Sequence, residues 1–328
     1  MPLIFLFSLM LISFSSWSYS VATQQETLSN PVLKRTLNVR IFYPSESHQA
    51  ATLQAARPVL TGFYAIEQAQ PAAGKFPLIV LSHGSGGNNS SLAWLAVPLA
   101  AQGAIVIAAN HPGSTTGDSS PDTDLTLQTR DLSFLITHYL DDARWRPAID
   151  ADRIGAIGHS KGGYSVLALA GARITQARLV EYCRSKPQMP DCLFYQRGHL
   201  PLAQRSAATL AASYRDPRVK FVVAIDPGMS DVFTPASLHS ITLPLLVIAA
   251  GYYIRAQPEI NLGVDRLPLP LLRLPQAGHY DFLPLCQPAA QAILAEEGEA
   301  FICETSREKR EEVHQQTITA VSAFIQRS

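Results

Sequence analysis

Five short stretches of the chain are apolar at almost every position: Phe76-Pro77-Leu78-Ile79-Val80-Leu81, Ala104-Ile105-Val106-Ile107-Ala108-Ala109, Arg153-Ile154-Gly155-Ala156-Ile157, Phe221-Val222-Val223-Ala224-Ile225 and Leu245-Leu246-Val247-Ile248-Ala249. Runs this short, without polar alternation, predict strands buried on both faces. Helical patterns fall between them, at about 90–102, 124–143 and 164–170, and most of the chain after 289 is helical in pattern. Residues 269–274 give one further short strand. Buried strands alternating with helices predict an α/β fold: a mostly parallel central sheet with helices on both faces. Thr36-Leu37-Asn38-Val39-Arg40-Ile41-Phe42-Tyr43 alternates instead, which predicts a half-exposed antiparallel edge strand ending at Pro44. Residues 23–31 read as a loose polar lead-in, and 45–75 show turn signals at Gly62 and Gly74 but no clear element.

One stretch breaks the alternation. Between the helix at 164–170 and the strand at Phe221 a short connection is the norm, yet residues 173–217 intervene, with several prolines and a helix-like segment over 202–214. Long insertions in compact domains are commonly lids or binding loops, so 173–217 is expected to form a cap.

The N-terminus differs from the rest. Residues 3–12 are almost continuously apolar and 13–20 turn small and polar, a pattern too short to span a bilayer but fitting a secretory signal. Small residues at Ser18, Ser20 and Ala22 place cleavage after Ser20 or Ala22, so 1–22 is expected to be a signal peptide and 23–328 one exported domain, periplasmic or secreted. No Lys or Arg precedes the apolar run, which leaves an uncleaved anchor as the alternative.

Composition narrows the classes. In 328 residues Lys+Arg and Asp+Glu are equal at 26 each, and no basic run with interleaved aromatics occurs, which argues against a nucleic-acid partner. The 4 cysteines, Cys183, Cys192, Cys286 and Cys303, form no zinc-binding pattern. Three pairings are possible; chain proximity favours Cys183–Cys192 and Cys286–Cys303.

The chemistry centres on Gly158-His159-Ser160-Lys161-Gly162-Gly163, set between the third buried strand and a helix. A serine on a strand-to-helix turn with glycine two residues before and after is the nucleophile-elbow pattern. The turn is so tight that side chains at Gly158 and Gly162 would collide with neighbouring backbone. A serine hydroxyl needs a base, and the base needs an acid to orient it. In chain order these should follow as Ser, acid, His. Of His199, His239, His279 and His314, only His279 sits on a loop directly after a strand-like run, where it can reach the elbow. For the acid, Asp226 stands at a strand end, before Pro227, a firmer platform than the later loop holding Glu259 and Asp265. An oxyanion hole needs two backbone N–H groups; Lys161 supplies one, and Ser85 or Gly86 in His83-Gly84-Ser85-Gly86-Gly87 the other. His83 and His159 read as structural. Asp118, Asp122 and Asp124 lack a calcium-loop spacing, so no metal is expected.

Phe76-Pro77-Leu78-Ile79-Val80-Leu81-Ser82-His83-Gly84, Asn110-His111-Pro112-Gly113, the elbow and Gly278-His279-Tyr280-Asp281-Phe282 stand in the order seen in α/β-hydrolases. More narrowly, the chain resembles dienelactone-hydrolase-like proteins related to platelet-activating-factor acetylhydrolases. The resemblance covers about 36–290 and implies ester hydrolysis through an acyl-enzyme, without a cofactor. It implies a small-molecule or lipid-derived ester as substrate, and it favours Asp226 as the acid. Dienelactone hydrolases carry cysteine at the elbow, where this chain has Ser160, so dienelactone itself is not the expected substrate. An amidase or peptidase with the same triad, and an inactive binding protein of the same fold, are the alternatives.

Overall fold

The computed structural model describes residues 18–118, 124–197, 201–251 and 263–328. The apolar part of the expected signal, Asp122, His199 and Glu259 lie outside the described residues.

The chain opens with a long antiparallel hairpin, β1 (Ser20–Asn30) and β2 (Arg35–Ser45), paired along their whole length. Asn30 closes the turn by accepting hydrogen bonds from the Val32 and Leu33 N–H groups, both at 3.1 Å. Two expectations change here. Residues 23–31 are not a loose lead-in but most of β1, and β2 is not an edge strand, because β1 covers it on one side. The polar side chains of β1 hid the strand: its backbone is held by pairing, with little apolar surface to betray it. Two short strands, β3 (Thr52–Gln54) and β4 (Phe63–Glu67), extend this side of the sheet.

The alternating half follows. Strand β5 (Phe76–Ser82) leads to helix α1 (Ala93–Ala101), then β6 (Ile105–Ala109) and α2 (Leu127–Asp141). Strand β7 (Ile149–His159) leads into α3 (Lys161–Ala170). The insertion forms three short helices, α4 (Gln176–Ser185), α5 (Pro190–Arg197) and α6 (Ala207–Ala211). The helix expected over 202–214 is thereby cut down, because Arg205 is extended and Ser206 caps α6 by accepting from the Thr209 N–H at 3.1 Å. Then come β8 (Val219–Ile225), α7 (Pro235–His239), β9 (Leu245–Ala250), β10 (Leu271–Leu274), α8 (Ala290–Glu296) and α9 (Arg307–Arg327).

Among the described residues one ten-stranded sheet runs β10-β9-β8-β7-β5-β6-β2-β1-β4-β3, parallel from β10 to β6. Strand periodicity distributes β5 between two cores. Leu78 and Val80 pack with Leu132 and Leu135 of α2 and Val166 of α3. Ile79 and Leu81 pack on the other face with Leu95 and Leu99 of α1 and Val313 and Val321 of α9. The cysteines pair as Cys183–Cys192, within the insertion, and Cys286–Cys303, between the loop after β10 and the turn before α9.

Candidate active site

Ser160 sits between β7 and α3 with φ 55° and ψ −120°, a conformation side chains seldom adopt. The flanking glycines are sterically required. A Cβ on Gly158 would lie 2.2 Å from the Gly162 carbonyl oxygen, and one on Gly162 would lie 2.1 Å from that of Ser82. Backbone hydrogen bonds tie the elbow to the loop after β8: Ser160 N–H donates to the Ile225 carbonyl, and its own carbonyl accepts from Gly228 N–H, both at 3.0 Å.

That loop begins with Asp226, buried and also at positive φ (42°). Its Oδ1 accepts the Ala250 N–H at 2.9 Å, and its Oδ2 lies 2.6 Å from His279 Nδ1. His279 Nε2 in turn lies 3.1 Å from Ser160 Oγ. Three side chains, from the turns after β7 and β8 and the loop after β10, thus form one hydrogen-bonded chain, polarised so that a proton can leave the serine. Asp265 is drawn away into an ion pair with Arg273 and is exposed.

The turn carrying His279 is held from several sides. Asp281 Oδ2 accepts the Gly278 N–H at 2.8 Å, and Trp94 of α1 donates to the Phe282 carbonyl at 2.9 Å. From α9, His314 donates to the Leu283 carbonyl at 2.9 Å and Arg310 to that of Pro284 at 3.0 Å, with Arg310 Nε 3.4 Å from Asp281. His159 donates to the His279 carbonyl at 3.2 Å; burial, then the adjacent His279, push its pKa well below the usual value, so it is neutral. These supports were missed in the sequence. The Asp281 position, three residues after Gly278, matches a turn-closing spacing and was the one readable signal.

The loop after β5 lies against the serine: a Cβ on Gly84 would come within 2.9 Å of Ser160 Cβ. Of the two residues weighed there, Gly86 already donates its N–H to the Ser114 carbonyl at 2.9 Å. That bond commits the Gly86 N–H elsewhere, which leaves Ser85 of the two, beside Lys161, the first residue of α3. His83 and His111, both buried, stand behind this loop with rings 5.0 Å apart. Asp118 and Asp124 close local turns, accepting from Gly113 N–H at 3.1 Å and Thr126 N–H at 2.9 Å.

Residues 40–180 match a family model described as PET hydrolase-like. Two cutinases of Thermobifida alba, est1 and est2, are each 39% identical over 97 residues, 29% of this chain. The matched stretch spans 30% of the length of these curated relatives. A ferulic acid esterase from Streptomyces cinnamoneus superposes over 95% of this chain and 90% of its own, with a TM-score of 0.59 and 22% identity. With a parallel sheet that turns through a glycine-flanked serine into a helix, the chain has the α/β-hydrolase fold.

Proposed function

We propose that this protein is a serine carboxylic-ester hydrolase acting through an acyl-enzyme on Ser160. The reading rests on one observation: the hydrogen-bonded chain from Ser160 Oγ to His279 Nε2 (3.1 Å) and from His279 Nδ1 to Asp226 Oδ2 (2.6 Å). His279 takes the serine proton as Oγ attacks the ester carbonyl, then gives it to the leaving alcohol. Asp226 holds the imidazole tautomer and stabilises the imidazolium. The N–H groups of Lys161 and Ser85 receive the charge on the tetrahedral oxygen, an interaction worth about 10²–10³-fold per donor in related chemistry. Water repeats the sequence to release the acid. The names of the relatives, two cutinases and a ferulic acid esterase, favour an ester over an amide.

Residues 173–217 act as a cap that shapes acyl choice. In support, Arg178 of α4 donates to the Asp231 and Val232 carbonyls on the Asp226 loop, and Asp231 pairs with Lys186. Export, with the apolar N-terminal run as a signal, fits two disulfides, which persist in oxidising compartments.

The test is hydrolysis of a nitrophenyl-ester chain-length series by the purified protein, with fluorophosphonate labelling read by mass spectrometry. Ser160→Ala should lose the label and thousands-fold in rate with an unchanged melt. Label on another serine, or equal rates on matched anilides, would overturn the reading.

A further inference from the structure

Beneath the loop that carries Ser85 lies a second serine–histidine–aspartate chain. Ser82 Oγ is 3.2 Å from His111 Nε2, and His111 Nδ1 is 3.0 Å from Asp131 Oδ2. Ser82, His111 and Asp131 are each 0% exposed. No ester carbonyl can reach Ser82, and Asp131 is already held by Arg35 through Nε at 2.9 Å and Nη2 at 2.8 Å. These three buried side chains therefore hydrolyse nothing themselves.

Its contacts point to another task. Gln128 of α2 donates through one amide nitrogen to Ser82 Oγ at 2.8 Å and to the His83 carbonyl at 2.6 Å. The His83 ring closes on the Gly84 carbonyl through Nδ1 at 2.7 Å and accepts the His111 N–H on Nε2 at 3.3 Å. The links through His83 and His111 fit a neutral imidazole in one tautomer: Nδ1–H donates and Nε2 accepts. Burial, foremost, lowers the pKa of both rings, that of His83 to about 3, which keeps them neutral. The backbone at His83 and Gly84, immediately before Ser85 and against Ser160, is thus fixed from behind by polar groups from β2, β5, α2 and the loop after β6.

We infer that His111, Gln128 and Ser82, with Asp131 and Arg35 behind them, are positioning residues for the oxyanion hole. This rests on the proposed Ser160 chemistry and on Ser85 as a donor. Donors misplaced by an ångström lose most of their value, because the charge they meet exists only in the transition state.

The experiment compares Ser82→Ala, Gln128→Leu and His111→Gln with the native enzyme, using nitrophenyl butyrate and active-site titration below the melting temperature of each. Expected is a drop of about 10- to 100-fold in kcat per titrated site at nearly constant KM. The Ki of a trifluoromethyl ketone, which fills the oxyanion hole, should rise by a similar factor, while that of the butyrate product stays put. Gln128→Asn should not rescue the Gln128→Leu defect fully, since its shorter amide cannot span both acceptors. Should Gln128→Leu or His111→Gln fail to fold, Ser82→Ala, the smallest change, carries the test. Lower melting temperatures with unchanged kcat and ketone Ki would make the network a mere stabiliser and overturn the inference. Full activity in Ser160→Ala would instead defeat the underlying reaction, whatever these variants do.

Discussion

Asp226 uses its two oxygens differently, and that difference decides what its amide would do. Oδ1 takes the Ala250 N–H and Oδ2 faces His279 Nδ1. In Asp226→Asn the amide oxygen should stay with the Ala250 donor, which turns the NH₂ toward Nδ1 and forces the imidazole proton onto Nε2. The base then points a proton at Ser160, so kcat should fall by about 10⁴-fold with little change in fold or melting. Asp265→Asn should leave kcat near wild type, since Asp265 is committed to Arg273; steady-state kinetics on the two variants reads the contrast directly. At this scale the sequence was informative where a residue type has one steric or chemical reason to be present. Ser160 between glycines, His279 after a strand, and Asp226 before Pro227 were legible as candidates, and the fold brings their side chains together. Gly86 could not be excluded, because its N–H is engaged by Ser114, a partner 28 positions away whose proximity only the fold reveals.

The elements show the same division. Strands β5 to β9 were legible because their central stretches are buried on both faces and are almost wholly apolar. Strands β1 and β3 were not, since backbone pairing more than side-chain pattern holds them; β4 buries Phe63, Ala65 and Ile66 but is too short for its pattern to stand out, and β2 looked like an edge until β1 covered it. The loop between β10 and α8 has a role no local pattern announced: it holds His279 between α1 and α9, and Cys286–Cys303 anchors its far end. With a sequence separation of 17, that bond should contribute about 3 kcal/mol through loop closure. Replacing both cysteines by alanine should therefore lower stability by about that amount in a urea melt and also depress kcat, because the loop bears His279, the proposed base. Removing Cys183–Cys192, which closes a shorter loop inside the insertion, should cost somewhat less and alter acyl preference before kcat on the smallest ester. The reverse pattern would detach the insertion from substrate choice.

Across the whole molecule, formal charge balances at +0, so no large net field sets the response to acid; buried histidines do. Burial is the leading cause that lowers the pKa of His83 to about 3 and of His314 to about 4, and it lowers those of His111 and His159 as well. His314 is stacked on Trp94 at 3.9 Å, so it joins α9 to α1 on the far side of the sheet from His83 and α2. In the unfolded chain each of these rings titrates near 6.5, whereas in the native state it stays neutral to a lower pH. Between those values the unfolded state binds more protons, so stability must fall as pH falls. Each histidine that remains neutral contributes a slope of up to about 1.4 kcal/mol per pH unit. Asp216 and Asp231 act in the same direction but lower down. Burial opposes their ionisation, yet hydrogen bonds from Arg218 and Ser133, and from Arg266 and Lys186, outweigh it and hold both below the usual 3.8. Their contribution is lost only as pH falls through those depressed values, which leaves the window from about 6.5 to 4.5 to the histidines. Urea melts at intervals from pH 8 to 4.5 should show stability nearly level above 7 and a steepening decline below 6.5. His314→Gln can keep a donor for the Leu283 carbonyl without the ionisable ring, so it should flatten the decline by about one proton's slope while costing some stability at pH 8 through the lost stacking. A decline of unchanged steepness in that variant would mean that His314 titrates in the native protein as it does in the unfolded chain.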